Sequence, residues 1–326
     1  MDQARITLFS RLAIAKPVGL RLGQAFLTIL GASVLIWALL PLVPGDPALR
    51  LLQARGIQDP LPTELEAVRQ ELGLDRPLPL QYVQWLGRAI RGDLSDSYQT
   101  GKPVLEEFGK RLPATTMLAG VALALSFLIS ILAALLSAAY HERWPDQIVR
   151  FVTQVGATTP SFLIGLLVLY FVVLKLGWGR IVSSGKFSQV WLPAVCLAIG
   201  RSARWTQLLR ANLLEALSSR YILVATARGA SRARILLRYA LPNALLPFLT
   251  AVGVGIGALL GGSAIIEAVF TWPGMGSYVV AAIGARDLPV MQGFVAIITL
   301  IYVSASFLVD MVATLLDPRL REGKGV

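Results

Sequence analysis

Residues that bind metals or form disulfides are almost missing from this sequence of 326 residues, which contains one cysteine, Cys196, and one histidine, His141. A disulfide framework requires pairs of cysteines, and protein zinc sites are built mainly from cysteine and histidine. The composition therefore excludes a disulfide framework and argues against a metal site. His141 is followed by Glu142 and Arg143, and this polar run predicts an exposed turn.

Motifs for nucleotide hydrolysis and other catalysis are also missing. A Walker A motif has four residues between its glycines and a Ser or Thr after Gly-Lys, whereas residues 179–187 (GRIVSSGKF) have five and end in Phe187. The chain has no nucleophile elbow and no His-Glu pair of a metalloprotease. Asp93 and Asp96 are close in sequence, but a solvated loop explains them better than a catalytic pair. We therefore predict a chain that is not an enzyme and binds no cofactor of its own.

Charged residues are scarce: they make up 15% of the chain, against 55% hydrophobic residues. Long apolar runs, which can each cross a hydrocarbon core about 30 Å thick, occupy residues 22–43, 113–140, 148–174, 248–271 and 290–316, with a less pure run at 189–209. The predicted fold is an all-α polytopic membrane protein with six transmembrane helices. A cleaved signal peptide is the alternative for residues 1–43, but the first run is long and five more follow.

The basic residues predict an orientation. If the N-terminus lies inside, the short inside segments carry 17 Lys and Arg residues and the short outside loops carry 4. Lysine and arginine collect in cytoplasmic loops, which also explains the formal charge of +11 without nucleic acid. We predict cytoplasmic segments at 1–21 and 317–326 and an external, periplasmic subdomain at 44–112. This subdomain should contain a helix from the N-cap Thr63, with Glu66 three residues on, to a stop at Gly73.

A basic segment separates two apolar runs at residues 213–241. Leucines at helical spacing lead from Leu213 to Tyr221, Gly229 is placed to end that helix in a left-handed conformation, and Ser231 can cap the next one. The second helix should carry Ile235, Leu236 and Tyr239 on one face. Four arginines between positions 228 and 238 indicate that lipid headgroups or an acidic partner neutralise this loop.

Glycines recur every four residues at Gly253, Gly257 and Gly261. This spacing places small residues on one face of a membrane helix, where another backbone can approach closely. It predicts a helix–helix interface within the protein or with a partner subunit. The alternative is the ordinary enrichment of glycine in membrane helices.

Two arginines interrupt the weakest apolar run. Arg201 and Arg204 share a helical face with Gln207, and each arginine facing lipid at mid-membrane would cost about 2.5–3.5 kcal/mol. One hypothesis is that these residues line a translocation pathway and attract a solute that bears a carboxylate, such as a peptide C-terminus or an anionic metal chelate. The alternative is that the helix ends early and both arginines extend to the inner headgroups.

Ordered motifs along residues 20–321 resemble one family. The motifs are VPGDPA, ELGLDRPLPLQY, GDLSDSY, RLPAT, GATTPSF, GGSAIIEAVFTWPGMG, RDLPVMQG and LVDMVATLLDPRLR. They are similar to landmarks of the inner-membrane permeases of binding-protein-dependent ABC importers, in the branch that transports dipeptides, oligopeptides or nickel. The family typically has apolar or small residues at positions 201 and 204, so the two arginines are a departure from its pattern.

The basic loop also resembles the cytoplasmic coupling loop of these permeases. Tyr221-Ile222, Ala225, Arg228-Gly229, Ser231 and Leu241-Pro242 match the version of this branch, whereas Leu223, Val224 and Tyr239 depart from the general family pattern. The resemblance implies that a short helix of the loop binds an ATPase subunit. The residues implied in that contact are Leu223, Ala225, Arg228, Gly229 and Ser231.

The resemblance further implies the partners and the location. The implied partners are a second homologous permease, two ABC ATPase subunits that use ATP and Mg, an external substrate-binding protein and membrane lipid. Nucleic acid is not expected. The implied location is the bacterial inner membrane. The core would span residues 113–316 and form half of a pathway for small peptides or a nickel or metallophore chelate, and the short loop at 175–187 favours the chelate. Glu267 is expected to be interfacial or structural, and the role of Asp310 stays open. A non-transport scaffold or a membrane enzyme is the competing reading.

Overall fold

A computed structural model describes residues 19, 23–38, 45–180 and 182–316, and the regular structure in these ranges is helical. No strand occurs there; one isolated bridge joins Asp96 and Pro103. The helices, in chain order, are α1 Gly23–Ala38, α2 Pro47–Ala54, α3 Pro62–Glu71, α4 Leu78–Ile90, α5 Val104–Ala139, α6 Trp144–Thr158, α7 Ser161–Lys175, α8 Trp191–Leu217, α9 Arg220–Ala227, α10 Arg232–Val269, α11 Met275–Ala285 and α12 Leu288–Leu316.

Three helices within the described ranges, α5, α10 and α12, are long and apolar enough to cross a membrane, and the pair α6–α7 makes up to four. The predicted runs at 22–43 and 189–209 fall on α1 and α8. The described part of α1 has fewer than 18 residues, and α8 carries arginines within its 27 residues. The polytopic helical fold is therefore confirmed, while the count of six spans stays a prediction.

The run at 148–174 forms a bent pair of helices rather than one rod. The axes of α6 and α7 differ by 103° across the break between them. Pro160 lacks an N–H and favours an extended conformation at the residue before it, and Thr159 has a ψ of 125°. The expectation of one continuous helix here is wrong, and the proline explains why.

The N-terminal insertion, residues 45–103, is built from short capped helices. Asp46 accepts the backbone N–H of Ala48 at 3.0 Å and thereby caps α2, and it also pairs with Arg69 of α3 at 2.7 Å. The predicted start of α3 is wrong, because Leu61 is the N-cap and its N–H donates to Glu64 at 2.9 Å. A proline at the first position of a helix fixes φ and needs no hydrogen-bond acceptor, so α3 begins before Thr63.

The predicted stop of α3 is confirmed, since Gly73 follows it with a φ of +68°.

Asp287, between α11 and α12, joins the insertion to the membrane helices. Its carboxylate is buried and accepts the hydroxyl of Ser97 at 2.6 Å and the backbone N–H groups of Tyr98 and Gln99, each at 3.2 Å. Burial, and secondarily the charge of Asp287, raises the pKa of Tyr98 to about 12. The insertion is thus packed on the helical bundle through a buried, hydrogen-bonded carboxylate.

Helix α8 lies in the interior of the bundle, where it packs against α5, α6 and α10. Small residues recur every four positions on the buried face of α5, at Ala122, Ser126, Ser130 and Ala134. The hydroxyl of Ser126 donates to the carbonyl of Ala122 on its own helix at 2.7 Å and lies 3.4 Å from the carbonyl of Ala198 on α8. Such a face lets two membrane helices approach closely.

Two of the three periodic glycines lie against α12 of the same chain. A Cβ added to Gly253 would lie 2.3 Å from Val309, and one added to Gly257 would lie 2.3 Å from Tyr302. No heavy atom lies within 4 Å of the corresponding position at Gly261. The close approach of α10 and α12 therefore depends on the first two glycines.

Candidate functional site: a basic turn, a buried ion pair and two cavities

The basic loop begins with a break that the sequence pattern did not predict. Helix α8 ends at Leu217, Ser218 caps it, and α9 starts again at Arg220 after Ser219, whose ψ is 154°. The hydroxyl of Ser219 donates to the carbonyl of Ala216 and thereby satisfies an acceptor at the end of α8. The interpretation of one helix running from Leu213 to Tyr221 is wrong, because serine side chains can bond the backbone and end a helix without Gly or Pro.

The turn after α9 has the predicted geometry. Gly229 has a φ of +78°, its N–H donates to Thr226 at 2.9 Å, and the N–H of Ala230 donates to Ala225 at 3.1 Å. Ser231 accepts the N–H of Arg234 at 3.4 Å and caps the next helix. The left-handed glycine and the serine cap are therefore confirmed as features of the backbone.

Helix α9 has one face on the protein and one face open. Ile222 and Ala225 are buried, whereas Leu223 is 69% exposed and Val224 is 51% exposed. Of the residues predicted to contact an ATPase, Leu223, Arg228, Gly229 and Ser231 are exposed and Ala225 is not. Helix α9 is therefore anchored on one side and presents an exposed apolar surface on the other.

The residues around this turn form a basic surface. Arg220, Arg228, Arg232, Arg234 and Arg238 are all exposed. None of them forms an ion pair with a carboxylate in the part of the chain that the structure describes. Their charge is therefore available to lipid headgroups or to an acidic partner.

A buried ion pair links the three helices α5, α6 and α8. Asp146 in the first turn of α6 is fully buried, and Arg210 of α8 donates to its two carboxylate oxygens at 2.8 and 2.7 Å. The hydroxyl of Ser137 on α5 and the N–H of Glu142, at 3.0 Å, donate to the same carboxylate. His141 is half-exposed and lies 3.4 Å from Asp146. The predicted turn at His141 thus lies beside a buried ion-pair cluster.

Arg201 and Arg204 line one cavity beside the bend between α6 and α7. This cavity has a volume of about 380 Å³, and the residues around it include Thr158, Thr159, Ser161, Arg201, Arg204 and Gly262. The guanidinium of Arg201 lies 5.9 Å from the ring centre of Trp205, and Arg204 donates to the carbonyl of Ala157 at 3.4 Å. No carboxylate lines this cavity, so its charge is positive.

Gln207 lines the neighbouring cavity instead. This cavity of about 460 Å³ lies between α6 and α8, and among its lining residues are Gln147, Arg150, Gln154 and Arg210. The structure therefore brings Arg201 and Arg204 together and places Gln207 one helical turn away. The spacing in the sequence predicts the shared face of α8, but it cannot reveal which residues of α6, α7 and α10 complete the two cavities.

Glu267 acts as a helix cap in this structure. It is fully buried and accepts the N–H groups of Gly276 and Ser277 at 2.7 and 3.1 Å, in the first turn of α11. Thr115 of α5 accepts the N–H of Met275 at 2.8 Å. These contacts join α5, α10 and α11 and agree with a structural role for Glu267. The side chain of Asp310 and the segments 1–18 and 317–326 lie outside the described residues.

A bundle of long apolar helices with an exposed helix–turn element on a basic surface defines a polytopic membrane protein. Residues 111–322 match the family model described as "Binding-protein-dependent transport system inner membrane component", and residues 18–119 match the N-terminal model of such membrane components. The chain belongs to this family of permease subunits.

Two bacterial permease proteins are similar to this chain over nearly their whole length. The chain is 37% identical over 328 residues to the probable D,D-dipeptide transport system permease protein DdpB of Escherichia coli (strain K12), covering 92% of this chain and 95% of that protein. It is 33% identical over 294 residues to the glutathione transport system permease protein GsiC of Pectobacterium atrosepticum, covering 90% and 95%.

Solved structures confirm the fold. The chain superposes on a chain of the inward-facing MetNI methionine ABC transporter with a TM-score of 0.55 at 17% identity, covering 64% of this chain and 96% of that one. At this identity the likeness shows the fold alone. It agrees with the permease architecture that the motifs predict.

Proposed function

We propose that this chain forms half of the translocation pathway of an ATP-driven importer and couples to an ATPase through residues 213–241. The observation that carries this proposal is the exposed helix α9 followed by the left-handed turn at Gly229. The open apolar face of α9 supplies a contact surface, and its buried face transmits displacement to α10. Leu223, Arg228, Gly229 and Ser231 form the contact, while Ala225 anchors α9 from inside.

The proposed arrangement has six spans, cytoplasmic termini and a periplasmic insertion at 44–112. It is supported by the excess of Lys and Arg in the segments assigned to the inside. The basic surface around Gly229 then lies on the cytoplasmic side, where an ATPase is accessible. The insertion lies on the opposite side, where a substrate-binding protein delivers the solute.

The partners proposed are a second permease, two ATPase subunits and an external binding protein. The sequence has no Walker A motif, so ATP and Mg would be bound by the ATPase subunits. Reconstitution into proteoliposomes tests this directly: uptake of a radiolabelled dipeptide should require ATP, both ATPases and the binding protein. Uptake without an ATPase would contradict the proposal, and absence of uptake with all partners would favour a scaffold or an enzyme.

The proposed solute is a short peptide with a free carboxylate. The relatives described above are named for dipeptide and glutathione transport, and the cavity at Arg201 and Arg204 offers two guanidinium groups without a competing acid. Arginine can bind a carboxylate through two parallel hydrogen bonds. The short loop at 175–187 had favoured a nickel or metallophore chelate, and no relative named here supports that preference.

The double substitution Arg201→Gln/Arg204→Gln should lower the uptake of a dipeptide substrate about tenfold or more, expressed as kcat/KM. A hydrogen bond to a charged group contributes about 1.5–3 kcal/mol, and glutamine keeps much of the volume without the charge. ATP-driven uptake by the reconstituted complex measures the effect. Arg143→Gln, an exposed arginine outside both cavities, should have no effect. Unchanged kinetics in the double variant would support arginines that extend to the inner headgroups.

A further inference from the structure

Residues of α6 and α8 line both cavities, and residues of α7 and α10 complete the cavity of Arg201 and Arg204. Gln154 of α6 and Gln207 of α8 line one cavity. Ala157 of α6 and Arg204 of α8 line the other. A separation of three residues corresponds to about 4.5 Å along a helix. The cavities are therefore about one turn apart on both walls, and we call the stretch that they occupy, from the bend at Pro160 to Gln147, the crevice.

The charge of this crevice is positive along its length. Arg150, Arg201 and Arg204 form no ion pair among the residues that the structure describes. Asp146 is nearby, but its two oxygens are bound to Arg210. No acidic side chain lines either cavity. Three cations without counterions in one crevice favour an anion.

The surface of helix α6 carries a polar stripe and an apolar stripe. Gln147, Arg150, Gln154 and Thr158 follow steps of three and four residues and are exposed, so they share the face toward the crevice. Val152 and Val155 lie between them in sequence and are 60% and 48% exposed. Lipid can cover the valines, whereas exposed arginine and glutamine require water or another polar surface.

We propose that this crevice is a water-filled vestibule that attracts anions, with Arg150 as a second contact for the solute carboxylate after Arg201 and Arg204. The proposal rests on the function proposed above, since a peptide carboxylate supplies the anion. Arg150 and Arg210 line the same cavity, and Arg210 lies seven residues before the end of α8, so Arg150 lies in the part of the crevice nearer the basic turn. A carboxylate that leaves the first cavity would then meet another guanidinium before it leaves the protein.

Cysteine labelling tests the water and the charge separately from transport. In a Cys196→Ala background, which removes the lone buried cysteine, Gln154→Cys is introduced into the assembled complex in proteoliposomes. Anionic sulfonatoethyl and cationic trimethylammonioethyl methanethiosulfonates are the probes, and the mass of this chain reports the modification. The ratio of anionic to cationic rates should exceed that of a small thiol in the same buffer. Adding Arg150→Gln should lower this ratio roughly threefold or more.

Val155→Cys is the matched control, because it lies next to Gln154 on the apolar stripe. It should react slowly with both reagents. An unreactive Gln154→Cys, or a reactive one whose rate ratio does not depend on Arg150, would overturn the proposal. The measurement requires neither ATP nor a transported solute, so a failed vestibule is distinguishable from a failed coupling mechanism, which the uptake assay reports.

Discussion

A Gly229→Val permease should remain in the membrane with its ATPase partners and continue to support ATP hydrolysis. Its rate of ATP-driven uptake should fall about tenfold or more. Gly229 has a φ of +78°, and a β-branched residue held in this region costs of order 1–3 kcal/mol. No heavy atom lies within 4 Å of the Cβ position. The expected defect therefore comes from the backbone conformation of the turn and not from a steric clash.

The measurement pairs uptake with ATP hydrolysis in the same proteoliposomes. Gly229→Asn is the matched control, because asparagine tolerates the left-handed conformation better than other residues with a side chain, and it should keep most of the uptake. Normal transport by Gly229→Val would remove the coupling role of this turn. Loss of the ATPases from the purified complex would show a defect in assembly instead of coupling.

Local signals in the sequence predicted this turn correctly. A left-handed glycine and a serine cap depend on a few neighbouring residues, so Gly229 and Ser231 could be assigned without the fold. Pro160 carried the same kind of signal for the bend between α6 and α7, but the length of the apolar run concealed it. The break at Ser218 and Ser219 had no strong local signal, since serine is tolerated within helices as well as at their ends.

The contacts between distant segments could not be read in this way. Arg201 and Arg204 were recognisable because two arginines in an apolar run are costly, yet the cavity that they line is completed by residues of α6, α7 and α10. Asp146 and Arg210 are 64 positions apart, and Glu267 caps a helix that begins after a turn. Nothing in the spacing of these residues specifies their partners, because helix packing determines which polar side chains meet.

The ion pair of Asp146 and Arg210 joins the two parts of the proposed mechanism. Helix α8 continues toward α9, and α6 leads to the bend beside the cavity of Arg201 and Arg204. With Ser137, the pair fixes the ends of α5, α6 and α8 to one another. We expect these helix ends to move as one unit when α9 is displaced, so that movement of the loop reaches both walls of the crevice.

Arg210→Met should destabilise the protein by about 3–5 kcal/mol, because removal of one partner leaves an uncompensated buried charge. The double substitution Asp146→Asn/Arg210→Met should recover a large part of this loss, since asparagine is neutral and its carbonyl can still accept the N–H of Glu142. Thermal unfolding of the purified permease in detergent measures both effects.

Arg150→Met is the control for loss of an arginine, and it should be nearly neutral, because Arg150 is exposed and forms no ion pair among the described residues. Equal unfolding temperatures for Arg210→Met and Arg150→Met would contradict a stabilising role for the ion pair.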